Sequence, residues 1–161
     1  MKLRNSVIIR RPIAEVFAFV TDLRNETRWQ PEIRCVTLEG PIEEGATFRE
    51  ERVTFGRRFA WRFRITRFDP PRAITIETIS VSAGALPYRG SRRFVAVAGG
   101  TEVIEEGELD LPWALRPFAP LLARLSQRPV RQAYARLKEM LEATPALAAS
   151  VQGDARPVIV G

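Results

Sequence analysis

The chain has 161 residues, 45% of them hydrophobic and 27% charged, which suits one folded domain with a full core and excludes a wholly disordered chain. It has no histidine, a single cysteine (Cys35), and a net charge of +6 carried by arginine apart from Lys2 and Lys138. A lone cysteine excludes an internal disulfide, the lack of histidine removes the commonest general base and metal ligand, and the arginines are spread along the chain rather than gathered into a dense nucleic-acid footprint.

Residues 3–10 read as a strand with Val7 and Ile9 on one face. Pro12 opens a short amphipathic helix through Ile13, Val16, Phe17 and Val20. A further helical turn is expected over 26–30, stopped by Pro31. Strands follow at 33–39 and 47–55. The clearest strand is 57–68, where Phe59, Trp61, Phe63 and Ile65 alternate with Arg58, Ala60, Arg62, Arg64 and Thr66. This is a half-buried antiparallel strand with one aromatic and one cationic face. Asp69-Pro70-Pro71-Arg72 marks a turn. Strands at 73–81 and 88–97 come next, then a Gly99-Gly100 hairpin turn and a strand at 101–111, in which Gly107 suggests a bulge or bend.

From 112 to 143 the pattern is helical. Leu115, Phe118, Leu122, Leu125, Val130, Ala133, Tyr134, Leu137, Met140 and Leu141 trace an apolar stripe, and Pro129 is expected to kink or split the helix. Residues 1–143 thus form one domain, and 144–161 read as an irregular tail. No apolar run reaches the roughly 20 residues of a membrane helix, and the basic start MKLRNSVIIRRP lacks the apolar stretch of a signal peptide. A cytoplasmic location is expected.

Strands in a row joined by tight turns pair antiparallel. A twisted sheet must curl around a single large helix. The expected architecture is α+β: a curved seven-stranded antiparallel sheet around a long C-terminal helix, with two short helices after the first strand. The curl predicts a hollow between sheet and helix able to take a ligand.

Several strings carry a resemblance. PIAEVFAFVTD at 12–22 followed by WQP at 29–31, GATF at 45–48, FDPP at 68–71, Arg93-Phe94, GGT at 99–101, and the pairs Leu137-Lys138 and Leu141-Glu142 occur in order. Over residues 3–143 the chain resembles the polyketide cyclase/dehydrase and lipid-transport family. That family is part of the START-like, Bet v 1-like superfamily with the helix-grip fold. Its members include carriers, sensors and cyclases, and it supplies no universal catalytic motif.

The aromatic inner face points to Trp29, Trp61, Phe63, Tyr88, Phe94 and Trp113 as ligand-binding residues, because such rings offer apolar area with an occasional polar handle. Arg92 and Glu105 flank the hairpin, and antiparallel pairing brings them together. If they face the interior they should pair, since an unpaired buried charge is costly. No catalytic residue is assigned; Glu105 and Tyr88 are the groups an acid–base role would use. In the carboxylate pairs Glu50-Glu51 and Glu105-Glu106, strand alternation allows one inward carboxylate each.

Three readings follow. The first is binding or transport of a small hydrophobic ligand (a lipid, an isoprenoid or an aromatic polyketide-like molecule) in an internal cavity, without covalent catalysis. The second is a polyketide cyclase or dehydratase using the same cavity. The third is an interaction module acting through the basic surface. No cofactor, metal or nucleic acid is expected, transient contact with a membrane surface is allowed, and a monomer or homodimer is anticipated.

Overall fold

The computed structural model describes residues 1–54 and 56–143; the tail expected at 144–161 lies outside the described residues. In chain order the elements are β1 (Lys2–Ile9), α1 (Ile13–Thr21), a 3-10 turn (Leu23–Asn25), α2 (Glu26–Trp29), β2 (Ile33–Leu38), β3 (Thr47–Thr54), β4 (Arg57–Asp69), β5 (Ala73–Val81), β6 (Tyr88–Val97) and β7 (Gly100–Leu109). A 3-10 segment (Trp113–Phe118) then leads into α3 (Ala119–Ala143). The seven strands form one antiparallel sheet in the order β1-β7-β6-β5-β4-β3-β2. α3 packs against β1 and α2.

Side-chain alternation builds the inner face. β4 turns Phe63 and Ile65 into the core and leaves Arg58 and Arg64 exposed. A register irregularity between Ile65 and Arg67 then swings Phe68 inward, so that its ring lies 5.6 Å from that of Phe17. A bulge of this kind extends the apolar face beyond where strict alternation would end it. The outward arginines find acids. Arg62 donates to Glu39 at 2.7 Å and Arg67 to Asp69 at 3.0 Å. The Arg62 bond, followed by one from Thr47, holds the Glu39 carboxyl down at about 2.

One half of the interior is apolar. Val16, Phe17 and Val20, one face of α1, pack with Ile9, Ile74, Phe94, Val103, Leu137 and Leu141. The Phe17 and Phe94 rings meet edge-on at 5.1 Å. Burying this set supplies the main driving force of folding.

Two glycine assignments change. The β6–β7 turn is Ala98-Gly99, with Gly99 at φ 79°, because Val97 already pairs with Gly100. Gly100 is a strand residue, and a Cβ there would lie 2.1 Å from the carbonyl oxygen of Ile9. Its role is close approach of β1.

α3 runs unbroken through Pro129, so the expected split does not occur. The apolar stripe is not continuous either. Ala133, Tyr134, Leu137 and Leu141 are buried, whereas Leu115, Phe118 and Leu125 are exposed. At about 100° per residue, Leu125 points some 120° or more away from the direction of Leu137 and Leu141, and Phe118 lies in the 3-10 segment ahead of the helix.

Candidate functional site

The other half of the interior is aromatic and charged. Leu23, Glu26 and Trp29 are spaced three apart through the 3-10 turn and α2, and this places all three on the buried side. β3 turns Phe48 and Glu50 into the core with Arg52 half-buried beside them. β6 and β7 contribute Tyr88, Arg92 and Glu105, with Arg92 directly opposite Glu105 in the register. α3 adds Tyr134.

Arg92 is the hub. Its Nη1 donates to Glu26 Oε1, its Nη2 lies 3.8 Å from Glu105 Oε1, and its guanidinium sits 5.3 Å from the centre of the Trp29 ring. The Tyr88 hydroxyl donates to Glu105 Oε1 at 3.2 Å. Glu50 pairs with Arg52, whose guanidinium lies 5.8 Å from the Trp61 ring. Tyr134 meets Trp29 edge-on at 5.2 Å, and Phe63 touches both Phe48 and Tyr88 at 5.2 and 6.4 Å. A guanidinium between two carboxylates and a ring face is a geometry arginine suits better than lysine.

Gly107 is not a bulge, since the β6–β7 register passes through it without a shift. It faces Gly90, and the Tyr88 ring lies over both. A Cβ at Gly107 would come within 2.6 Å of the Tyr88 hydroxyl, and one at Gly90 within 2.7 Å of the ring. The two glycines make the recess that holds Tyr88 against Glu105.

Burial sets the protonation states. Desolvation, opposed by the charge of Arg92, raises the Glu26 carboxyl to about 7. Desolvation likewise pushes the Tyr88 and Tyr134 phenols well above their usual range, with the negative charge of Glu105 adding to it. Both tyrosines are therefore neutral donors at physiological pH. Among the described residues, five buried side-chain polar atoms have no hydrogen-bond partner; Trp29 Nε1, Glu50 Oε2 and Tyr134 Oη lie here, and Asn5 Nδ2 and Gln30 Nε2 are the others. Each such orphan costs about 1–3 kcal/mol.

The predicted hollow is filled at this depth. Trp29 and Leu137 are 0% exposed, Phe48 and Phe63 1%, and Tyr134 2%, so sheet and helix meet in contact there. Exposure rises toward one margin, where the Glu105 and Arg52 side chains reach 16% and 27% and Trp61 and Tyr88 are half-buried. An open groove of about 670 Å³ lies elsewhere, lined by Lys2, Arg4, Arg89, Glu106 and Glu108 among others. Its charged walls do not suit an apolar molecule.

Of the residues singled out from sequence, the structure brings together Trp29, Phe63, Tyr88, Arg92 and Glu105. Trp61 stands at the margin, its Nε1 already donating to the Leu86 carbonyl at 2.9 Å. Phe94 belongs to the apolar half against Phe17. Trp113 is 83% exposed and lines no interior. Glu26, Glu50, Arg52 and Tyr134 were missed as site residues. Glu26 had a signal, a carboxylate on the same three-residue spacing as Leu23 and Trp29. Among the described residues, no three Cys, Asp or Glu side chains converge as metal ligands do.

A search of curated proteins finds no matching sequence. The solved structure of a protein from Thermus thermophilus is similar, with a TM-score of 0.73 and 19% identity over 88% of this chain and 97% of that one. A START superfamily protein from Mycobacterium smegmatis gives 0.70 and 13% over 88% and 97%. The di-domain ARO/CYC StfQ from the steffimycin biosynthetic pathway gives 0.67 and 21% over 87% of this chain and 44% of that one. These likenesses show the helix-grip, START/Bet v 1-like fold. The sequence profile described as polyketide cyclase / dehydrase and lipid transport matches residues 1–142, and with that match over this sheet and helix the chain belongs to the polyketide cyclase/dehydrase and lipid-transport family.

Proposed function

We propose that the chain binds one small, mostly apolar molecule carrying a polar group, reached from the margin formed by Arg52, Trp61, Tyr88 and Glu105. Family and fold are consistent with hydrophobic-ligand binding or polyketide-cyclase-type activity. The observation that carries the reading is the set of unpartnered polar atoms inside an aromatic enclosure: Trp29 Nε1, Glu50 Oε2 and Tyr134 Oη. A core built only for stability would satisfy such atoms or replace them with apolar groups. A ligand hydroxyl or carbonyl would pair with them while its apolar body lies on the rings. Room for it comes from displacement at the margin, since the deep end is closed.

Native mass spectrometry of the gently purified full-length protein, followed by thermal-shift and tryptophan-fluorescence titration with an apolar library, tests this. Polar-headed ligands should bind, and Tyr134→Phe should weaken them about tenfold, the value of one hydrogen bond, while pure hydrocarbons are unaffected. A library in which no member shifts melting or fluorescence overturns the reading.

One observation favours catalysis as a second reading. A buried carboxyl poised near neutrality and held by Arg92 can exchange a proton with a bound carbonyl. Glu26, rather than Glu105 or Tyr88, then takes the acid–base role. Cyclisation or dehydration of a polyketide-like substrate that survives Glu26→Gln unchanged removes it.

A further inference from the structure

The most exposed apolar side chains of the described residues cluster in one short stretch. Trp113 is 83% exposed, Leu125 64%, and Phe118 and Leu121 56% each. Elsewhere, large exposed apolar residues are scattered singly (Ile8, Ile79 and Val95) and are unremarkable for any soluble surface.

This stretch does not continue the face that packs on the sheet. In the first half of α3, Ala119, Leu122, Ala123, Ser126 and Val130 are half-buried and mark the inward side. Leu121 and Leu125 lie on the outward side, in line with Phe118 at helical spacing. Arg124 and Arg128 flank them, also exposed, with Arg116 in the preceding 3-10 segment. No acidic residue occurs between Asp110 and Glu139. An outward face that is apolar and aromatic, edged by arginines and free of acids, has the composition of a helix that lies in a lipid interface. The tryptophan sits where an aromatic anchor serves at headgroup level, and arginine stems cover apolar surface while their heads reach phosphate.

We propose that the outward face of residues 113–128 docks on an anionic lipid bilayer, lying in the interface without crossing it. No described helix is long and apolar enough to span a membrane, in keeping with surface docking. A second copy of the chain is a poorer occupant. A two-fold interface on this face would set Arg116, Arg124 and Arg128 against their own counterparts with no acid to answer them. A nucleic acid would use the arginines but leave the leucines and Phe118 wet.

The test is co-flotation of the full-length protein with vesicles of phosphatidylcholine alone and of phosphatidylcholine with phosphatidylglycerol, read together with fluorescence quenching by lipids brominated on the acyl chain. Binding should be confined to the anionic vesicles, should weaken as salt is raised, and should bring a tryptophan within reach of the quencher. Leu121→Asp with Leu125→Asp, and separately Arg124→Glu with Arg128→Glu, should each reduce binding about tenfold or more with the melting temperature unchanged, because all four side chains are exposed. Equal binding to neutral vesicles, or leucine variants that bind as well as the parent, overturns the proposal. So does a dimer in sedimentation that the leucine variants dissolve, or retention on RNA with no flotation. The leucine variants should keep the apolar-ligand titration of the parent, so loss of docking and loss of ligand binding are read separately.

Discussion

Replacing Glu26 by glutamine should remove most of the pH dependence of stability between mildly acidic and mildly alkaline conditions. A chain without histidine has no side chain whose ordinary pKa falls in that range. Burial supplies one by raising Glu26 from 4.5 to about 7. The unfolded chain gives up this proton near the lower value and the folded chain near the higher, so between them the native state holds more protons. Stability from this group is therefore complete below about 4.5, declines as the pH rises, and is lost once the pH passes about 7. The shift corresponds to about 3 kcal/mol, of which about 2 kcal/mol falls between roughly pH 5 and pH 7.5. The carboxylates held below their usual values, Asp22, Glu39, Asp69 and Glu142, behave oppositely and lose their contribution as the pH falls below the ordinary carboxylate range. They leave this window clear. Glutamine imitates the protonated acid, and its carbonyl can still accept from Arg92. Urea unfolding of both proteins across the window should give a wild-type curve that falls and a variant curve that is nearly flat, the two diverging by about 2 kcal/mol in the variant's favour. Parallel curves would refute the reasoning, because Glu26 would then titrate alike in both states.

Arg92→Met should destabilise the fold by about 3 kcal/mol above neutral pH, where it strands ionised Glu26 beside Glu105, and by less in mild acid, where Glu26 is protonated. Adding Glu26→Gln should recover part of that loss, and strictly additive free energies in denaturant titrations would show that the two do not interact. Gly107→Ala should cost about 1–3 kcal/mol by driving a Cβ into the Tyr88 ring, and Tyr88→Ser in the same chain should relieve the clash. A double variant no better than the sum of the singles would separate Gly107 from Tyr88.

Much of the sheet was legible because antiparallel strands write a period of two into the sequence. β5 and β6 carry their expected bounds, and the hairpin brings Arg92 near Glu105 as expected, but a Gly99-Gly100 turn would set Arg92 opposite Gly107, and it is the Ala98-Gly99 turn that sets it opposite Glu105. What escaped did so for physical reasons. α2 has four residues, too few for a helical period to identify the buried side, so Glu26 gave no clear sign beyond its spacing from Leu23 and Trp29. Glu50 reads from sequence as one of a pair with one inward member, but a carboxylate in a strand is more often solvated than sealed. Apolar residues at mostly three- or four-residue spacing make the stripe on α3 read as one face. At 100° per residue, however, Leu125 lies about 120° around from Leu137, off the inward face, and Phe118 belongs to the 3-10 segment, where that period does not hold. The filled hollow was beyond reach, since alternation fixes which way side chains point and not whether they meet.

That filling changes how a ligand would bind. Were the interior an open chamber, affinity would depend only on the fit of the occupant. Here Trp29, Tyr134 and Arg92 already occupy one another's surfaces, so the receptive state is a minor one. The apparent affinity is then the intrinsic affinity reduced by the fraction of molecules in that state. Any perturbation that raises that fraction strengthens binding without touching the ligand. Ionisation of Glu26 is such a perturbation, because the closed arrangement buries that carboxyl completely and disfavours its charged form. Margin opening that rehydrates Glu26 should therefore be easier above neutral pH. An uncharged apolar ligand should bind more tightly in mild alkali than in mild acid, and Glu26→Gln should abolish that trend. A ligand whose affinity is flat with pH in the parent would mean that the site opens without wetting Glu26.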